Sequence, residues 1–422
     1  MTSDREAFVW IWLPGAAEPV VCGRLEESGG VTSFNYGRSY LARDEAIAVY
    51  LPELPLTPGL IPPRGSLGMA GCIDDASPDS WGMRVIMDKL LGARAADADP
   101  AEIGMVTYLL QSGSDRIGAL DFQRSPTEYV PRTTPASLAD LLDAADRLDR
   151  RVELPTTINE ALLHGSSIGG ARPKALLEDE GGASKLIAKF SSSSDVYPVV
   201  EGEFVAMELG RRAGLDIAGV RLEHVLGRTV LLIERFDRAP MPGGAGWQRR
   251  LMVSALTMLE LHEMQARYAT YHELAEIIRA RFTRPKATLR ELFARIVFNV
   301  LVGNSDDHAR NHAAFWDGRD LELTPAFDVC PQLRGGREAN QAMAVGPGAR
   351  TAQLAGCVVS AEHYGLTETE AREIIDHQVD VIRADWEEVC DVAEVAEVDR
   401  AYFWGRQFLN AYAFEGYGPA PV

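Results

Sequence analysis

The chain has no run approaching the roughly 18 apolar residues that a membrane-spanning helix requires. Its start, Met1-Thr2-Ser3-Asp4-Arg5-Glu6, lacks the basic start and apolar run of a signal peptide. Cysteine is scarce: Cys22, Cys72, Cys330, Cys357 and Cys390 are scattered, odd in number and without metal-ligand spacing. That excludes a disulfide framework and suits reduced thiols in a cytosol. Positive charge is in deficit, 42 Lys and Arg against 61 Asp and Glu, for a net charge of −19. Independent binding to nucleic acid is thereby excluded, because phosphates would be repelled at long range. The local exception, Arg279, Arg281, Arg284, Lys286 and Arg290, reads as a solvated surface. Internal repeats and long low-complexity runs are also missing. What remains is a soluble, cytoplasmic globular protein with no membrane partner. Its 422 residues, 46% of them hydrophobic, are enough for about two or three domains.

The most informative stretch is Leu289 to Pro331. Leu289, Leu292, Phe293, Ile296, Val297, Val300 and Leu301 recur at spacings of three and four, so the segment predicts a core helix stopped by Gly303. Asn304-Ser305-Asp306-Asp307-His308-Ala309-Arg310-Asn311 then follows, too polar to continue the core. His312 to Trp316 and Leu321 to Leu323 predict two short strands around Asp317-Gly318, a hairpin turn, ending at Thr324-Pro325-Ala326-Phe327-Asp328. An Asp and an Asn five residues apart on a loop, with a second Asp returned by a hairpin, is the form of a phosphoryl-transfer site. Magnesium takes hard oxygen ligands and shares them with nucleotide phosphates. Asn311 and Asp328 have those oxygens, and Asp306 is placed to orient a hydroxyl and take its proton. Two other readings of the loop stay open: a capped, solvated loop, and an Asp/His metal hydrolase using Asp306, Asp307, His308 and His312.

Upstream, Phe8 to Leu13 and Val20 to Cys22, punctuated by Gly15, Gly23 and Gly29-Gly30, predict short antiparallel strands continuing to about Tyr40. Tyr50 to Pro63, with prolines at 52, 55, 58, 62 and 63, is expected to be irregular. Helices are expected from Pro78-Asp79-Ser80-Trp81-Gly82 onward and over Thr134 to Leu148, with loop and strand over Gly113 to Phe122. This part reads as an accessory domain of roughly 130 residues.

Ser166-Ser167-Ile168-Gly169-Gly170-Ala171-Arg172-Pro173-Lys174 has the small residues that let backbone approach a phosphate, with Arg172 or Lys174 adding charge. It lacks the Gly-Lys-Ser/Thr ending of a Walker A loop. Ala175 to Leu177 and Lys185 to Phe190 predict a hairpin, with Leu186, Ala188 and Phe190 on one face and Lys185, Ile187 and Lys189 on the other. Lys189 is the candidate strand lysine for nucleotide phosphates. Glu201 to Gly214 predicts a helix carrying Glu203 and Glu208, of which Glu203 is preferred as the partner of Lys189. Strands at Val220 to Val225 and Thr229 to Ile233, turned by Gly227, lead into the polar connector Glu234-Arg235-Phe236-Asp237-Arg238, where a kinase hinge would offer backbone groups to adenine. Gly335 to Gly348 reads as a flexible loop. Beyond it, Thr367 and Glu370 predict a capping box before the apolar stripe Ala371, Ile375, Val379, Ile382, Trp386 and Val389. Glycine loop, strand lysine, helix with glutamate, two strands, connector, helices, Asp with Asn, and metal Asp appear in the order of a protein kinase. The hydrolase reading explains neither the glycine loop nor Lys189.

Over nearly its whole length the chain resembles the HipA family of serine/threonine kinase toxins from bacterial type II toxin–antitoxin systems. The resemblance lies in Tyr50-Leu51-Pro52 to Leu56, Pro78 to Gly82, Ser167 to Lys174, Glu234 to Arg238, Asn304 to Asn311 and Pro325 to Asp328. It implies an α+β, two-lobed protein-kinase-like fold with an additional N-terminal β-rich subdomain (1–130), an N-lobe with the glycine-rich loop (131–238) and a mostly helical C-lobe (239–422). It implies ATP and magnesium, and a protein substrate, an aminoacyl-tRNA synthetase in the best-known members. The usual partner is a small helix-turn-helix antitoxin; no such motif is evident here, so DNA contact would come mostly through the antitoxin. By position, Asp306 would be the catalytic base, Asn311 and Asp328 would hold magnesium, and Lys189 would bind the nucleotide phosphates. Ser167, Gly169, Gly170, Ala171, Arg172 and Lys174 would form the ATP loop, with Ser167 the inhibitory autophosphorylation site. Glu234 and Phe236 would meet adenine through their backbones, and His308 would lie beside the phosphates. Where this chain has Phe327 the family often has Tyr. A catalytically silent, antitoxin-bound corepressor is a further alternative, opposed by the intact Asp306, Asn311, Asp328 and Lys189.

Overall fold

The computed structural model describes residues 4–92, 95, 98–133, 138–149, 174–179, 182, 184–191, 195–244, 246–346 and 348–418. Two compact units emerge, each assembled from separated stretches of chain. One comprises Met1–Ser194, His224–Val253 and Phe315–Arg319; the other comprises Asp195–Glu223, Ser254–Ala314 and Asp320–Val422.

The first unit opens with strands β1 (Glu6–Ile11), β2 (Val20–Ser28) and β3 (Val31–Tyr36). Gly29 and Gly30 both have positive φ, as the tight turn between β2 and β3 requires. β4 (Leu60–Ile61) and β5 (Leu120–Gln123) complete a five-stranded sheet of order β4-β3-β2-β1-β5. β4 corrects the expectation that Tyr50 to Pro63 holds no regular structure: Ile61 and Leu60 pair with Phe34 and Asn35. It is an edge strand of two residues because the following Pro62 has no N–H to extend the ladder.

Helix α1 (Ser80–Leu91) starts at Asp79, whose side chain accepts a hydrogen bond from the Gly82 N–H at 2.6 Å. Its Trp81, Val85 and Ile86 share a core with alternate residues of a second sheet. That sheet contains β6 (Lys174–Glu178), β7 (Lys185–Phe190), β8 (Val220–Val225) and β9 (Arg228–Glu234), ordered β6-β7-β9-β8. Leu186, Ala188 and Phe190 are buried while Lys185, Ile187 and Lys189 are half-buried, the alternation the sequence predicts. The helix expected over Thr134 to Leu148 is found at Leu138–Asp149.

In the second unit are helices α2 (Val199–Arg212), α3 (Tyr271–Arg281), α4 (Pro285–Val302) and α5 (Glu368–Val392). Pro285 opens α4, where its missing N–H leaves no helical bond unmade. Gly303 closes α4 in the left-handed region (φ 69°). The expected apolar stripe is buried in full, but so are Phe298, Val302, Arg295 and Asn299, so the end of α4 is enclosed on every side. Each fully buried large apolar side chain contributes about 1.5–3 kcal/mol. α5 has the predicted capping box between Thr367 and Glu370. Strands β10 (Ala313–Trp316) and β11 (Leu321–Leu323) are adjacent, as the Asp317-Gly318 turn predicts. Within the stretch read as a flexible loop, Gly335 to Glu338 are exposed, whereas residues 341–346 are packed irregular chain. Gln341, Met343, Ala344 and Val345 are buried, and their segment's backbone bonds to Ser305 and Tyr271. Buried peptide groups need such partners, and periodicity does not reveal them.

Candidate active site

The loop after α4 is tied down from beneath. The Asn304 N–H donates to the Asn299 carbonyl at 2.9 Å and its side-chain Nδ2 to Asn299 Oδ1 at 3.0 Å. Gln341 Nε2 donates to the Asn304 carbonyl, and the Ala342 N–H to the Ser305 carbonyl. Asp307 is 3% exposed and faces inward. It accepts from Asn299 Nδ2 at 2.8 Å, lies 2.9 Å from His312 Nε2 and also accepts from the Tyr271 hydroxyl. Burial and the Asp307 charge push the Tyr271 phenol well up, which keeps it a proton donor to that carboxylate.

Asp306, just before it in the chain, is exposed. Partial burial raises its pKa; His308 opposes the rise, and the charges of Asp328 and Asp307 add to it. Asp306 and Asp328 are therefore electrostatic neighbours although 22 positions separate them in the chain. Asp328 arrives by a backbone bridge: the Ala326 N–H donates to the Asp216 carbonyl at 2.7 Å and the Ala218 N–H to the Ala326 carbonyl at 2.9 Å. Asp328 itself is left-handed (φ 59°), a conformation Asp tolerates better than most residues and one that recurs at functional sites. Asn311 ends a single 3-10 turn begun at His308. Its Nδ2 faces the Asp306 carbonyl at 3.4 Å, which leaves Oδ1 available as an oxygen ligand. His308 has its Nδ1 buried without a partner among the described residues. Asp306, His308, Asn311 and Asp328 thus belong to one structural neighbourhood of the second unit.

The hydrolase reading fails on this geometry. Asp307 and His312 are committed to each other and to Tyr271 and Asn299.

Other expected residues lie on α2 and in the first unit. On α2, Glu208 is engaged by Arg211 and Arg212, whereas Glu203 is 3% exposed. Lys189 sits on β7 opposite Leu231, with Lys174 on its other side. The Lys174 side chain is 2% exposed and bonded to Asp79 at 2.9 Å, a partner the sequence does not reveal. Two lysines directly opposite on a ladder repel each other, and the Asp79 carboxylate offsets that repulsion. Ser167, Gly169, Gly170, Ala171 and Arg172 lie outside the described residues.

The Glu234-to-Arg238 connector is not the solvated linker its polarity suggests. Glu234 is exposed and the Phe236 ring meets Phe315 edge-on, with centroids 5.9 Å apart. Between and beyond them, Arg235, Asp237 and Arg238 are buried. Arg235 donates to both Asp237 oxygens (3.0 and 2.8 Å) and to the Asp115 and Arg116 carbonyls. Arg238 bonds Asp237 at 2.7 Å and the Gly118 carbonyl at 2.8 Å, and the Gly118 N–H donates back to Asp237. The connector is thereby locked to the 115–118 segment of the same unit. Sequence reasoning missed this lock, as it missed Tyr271 and Asn299 beneath the 304–311 loop. The only trace of the lock was the charge alternation in Glu-Arg-Phe-Asp-Arg.

The fold is α+β and kinase-like. It superposes on HipA from a Shewanella oneidensis MR-1 complex of HipA, HipB and operator DNA with a TM-score of 0.68 at 19% identity, covering 94% of this chain and 93% of that one. Residues 166–386 match the HipA-like C-terminal domain, more than half of the sequence, and the chain belongs to that family. Among curated relatives, the serine/threonine-protein kinase toxin HipA of Shewanella oneidensis is 26% identical over 208 residues, 44% of this chain and 48% of the relative. The putative kinase Y4mE of Sinorhizobium fredii is 25% identical over 260 residues, 57% of this chain and 60% of the relative. The chain thus spans about half to three fifths of the length of these relatives. No helix among the described residues is long and apolar enough to cross a membrane.

Proposed function

We propose that the protein is an ATP- and magnesium-dependent serine/threonine protein kinase acting as the toxin of a bacterial toxin–antitoxin pair. The observation that carries this reading is the convergence of Asp306, Asn311 and Asp328 on a loop anchored from beneath, in a chain of the HipA-like family. In the reaction, the substrate hydroxyl hydrogen-bonds to the Asp306 carboxylate and passes its proton there as its oxygen bonds to the γ-phosphorus. The bond from that phosphorus to the bridging oxygen of ADP breaks. Asn311 Oδ1 and the Asp328 carboxylate suit magnesium, and the mutual repulsion of Asp306, Asp307 and Asp328 is what a divalent cation would offset. Bound there, magnesium would neutralise charge on the nucleotide phosphates. Lys189 would add a cation on β7, and the locked connector would hold the Glu234 and Phe236 backbones toward adenine.

The substrate is a translation-related protein such as an aminoacyl-tRNA synthetase, and Ser167 accepts an inhibitory phosphate from the same site. The partner is a small helix-turn-helix antitoxin that carries the contact with DNA, consistent with the net charge of −19. In the Shewanella oneidensis complex HipA is joined with HipB and operator DNA, which supports this assembly. Incubating purified protein with γ-labelled ATP and host lysate tests the reading. Label on a protein other than the kinase is expected, with one added phosphate on the chain itself that is absent in Ser167→Ala. No label on any protein would refute the kinase reading, and self-label retained in Ser167→Ala would refute the assignment of the regulatory site.

A further inference from the structure

A cavity of about 280 Å³ in the second unit is lined by Arg334, Gly335, Gly336, Tyr402, Arg406 and Gln407, with Asn410 at its edge. None of these residues belongs to the site described above. Arg337, nearby, is paired with Glu415, and the Asn410 side chain is engaged by its own turn, accepting from the Tyr412 N–H and donating to the Gly405 and Arg406 carbonyls. Arg334 and Arg406 are different. Arg334 is half-buried, its Nε is enclosed without a partner among the described residues, and its hydrogen bond to the Arg337 carbonyl is a long 3.4 Å contact. Arg406 is exposed, lies over the Tyr402 ring at 4.7 Å and makes no side-chain hydrogen bond or ion pair among the described residues. Arg334 is partly removed from water without a counter-charge among the described residues, which is unfavourable, and Arg406 brings a second unpaired guanidinium to the same cavity. Burial accordingly shifts the Arg334 pKa downward, with nearby Tyr412 opposing.

The rest of the lining suits an anion. A Cβ added at Gly335 or Gly336 would meet nothing within 4 Å, so ligand atoms can come close to the backbone there. Gln407 is 1% exposed with its Oε1 unpartnered among the described residues, and an amide turned end for end offers N–H donors instead. Two guanidinium groups and open glycine backbone match a group with several oxygens and close to two negative charges, more than a single carboxylate supplies. The volume leaves room beside Tyr402 for the substituent that carries the group.

We propose that this cavity is a binding site for a phosphate monoester, separate from the candidate active site and independent of whether the protein is a kinase. Free phosphate and a phosphorylated side chain share this chemistry. Calorimetric titration with inorganic phosphate and with O-phosphoserine, using serine as the blank, tests the proposal on the full chain. Wild type should bind O-phosphoserine and not serine. Arg334→Gln and Arg406→Gln should each weaken that binding about tenfold or more, the loss expected of one charge-assisted hydrogen bond. Tighter binding of O-phosphoserine than of phosphate would assign the substituent to the Tyr402 side; equal binding would assign free phosphate as the ligand. If either glutamine variant melts early, Arg334→Lys and Arg406→Lys, which keep charge but lose the planar fork, take its place and should also bind more weakly. No binding to wild type, or wild-type affinity in the folded variants, would overturn the proposal.

Discussion

At the scale of single residues, the informative contrast is between Asp306 and Asp307. They are neighbours in sequence and opposite in setting, one exposed and the other almost wholly buried. The sequence shows two acidic residues in a polar loop and nothing to say which turns inward. That choice is made by Tyr271 and Asn299, which lie 36 and 8 positions upstream of Asp307. Asp307→Ala should leave the Tyr271, Asn299 and His312 side chains without their acceptor, at about 1–3 kcal/mol for each unsatisfied buried group. Denaturant unfolding should register that loss, and an unchanged midpoint would contradict the anchoring role. A second case is Asp237. Burial alone would raise its pKa, but Arg235 and Arg238 outweigh burial and hold the carboxyl below the usual range. A depressed folded-state pKa adds stability that is present above the ordinary Asp value of about 3.9. That stability is lost as the pH falls through the lower folded value. Thermal melts should therefore fall off in acid below about pH 4, and Asp237→Asn should flatten that limb. At neutral pH the same variant should be less stable by roughly 3–5 kcal/mol, because it leaves two buried guanidinium groups short of a counter-ion. An acid limb unchanged in the variant would assign it to other carboxylates, such as Asp121, which Arg116 and Arg132 hold low against burial.

At the scale of elements, helix α4 and its terminator set where the 304–311 loop begins. Gly303 has positive φ, and a Cβ there would stand 2.8 Å from the Gln407 carbonyl oxygen. Gly303→Ala combines left-handed strain with a backbone clash and should cost more than about 1 kcal/mol. Unfolding midpoints test this, and transfer activity should fall with them because Asn304 to Asp307 hang from that turn. Elements of this kind were legible in the sequence because their signals are local. The apolar spacing of α4, the Asp317-Gly318 turn, the alternation along β7 and the capping box of α5 each lie within a few residues. What was not legible depended on distant chain. Leu60–Ile61 became a strand because Phe34 and Asn35 offered an edge, Ala342 and Ala344 were held by Ser305 and Tyr271, and Lys174 was claimed by Asp79.

At the scale of the whole molecule, the two units are each discontinuous, and no local pattern announces that Phe315–Arg319 belongs with the first unit. The linear order of parts nonetheless pointed to the kinase-like fold, since order survives even where contacts cannot be read. The candidate site was half visible: its polar residues were named from the loop, and the side chains that aim them were not. The central claim is that Asp306 takes the proton of a substrate hydroxyl while Asn311 and Asp328 hold magnesium. The most direct test compares phosphoryl transfer and ATP affinity in Asp306→Asn, a change that keeps size and polarity and removes the base. The account predicts transfer reduced by about a hundred- to ten-thousand-fold with ATP binding largely preserved. In Asp328→Asn, both should suffer. Full transfer activity in Asp306→Asn would contradict the account.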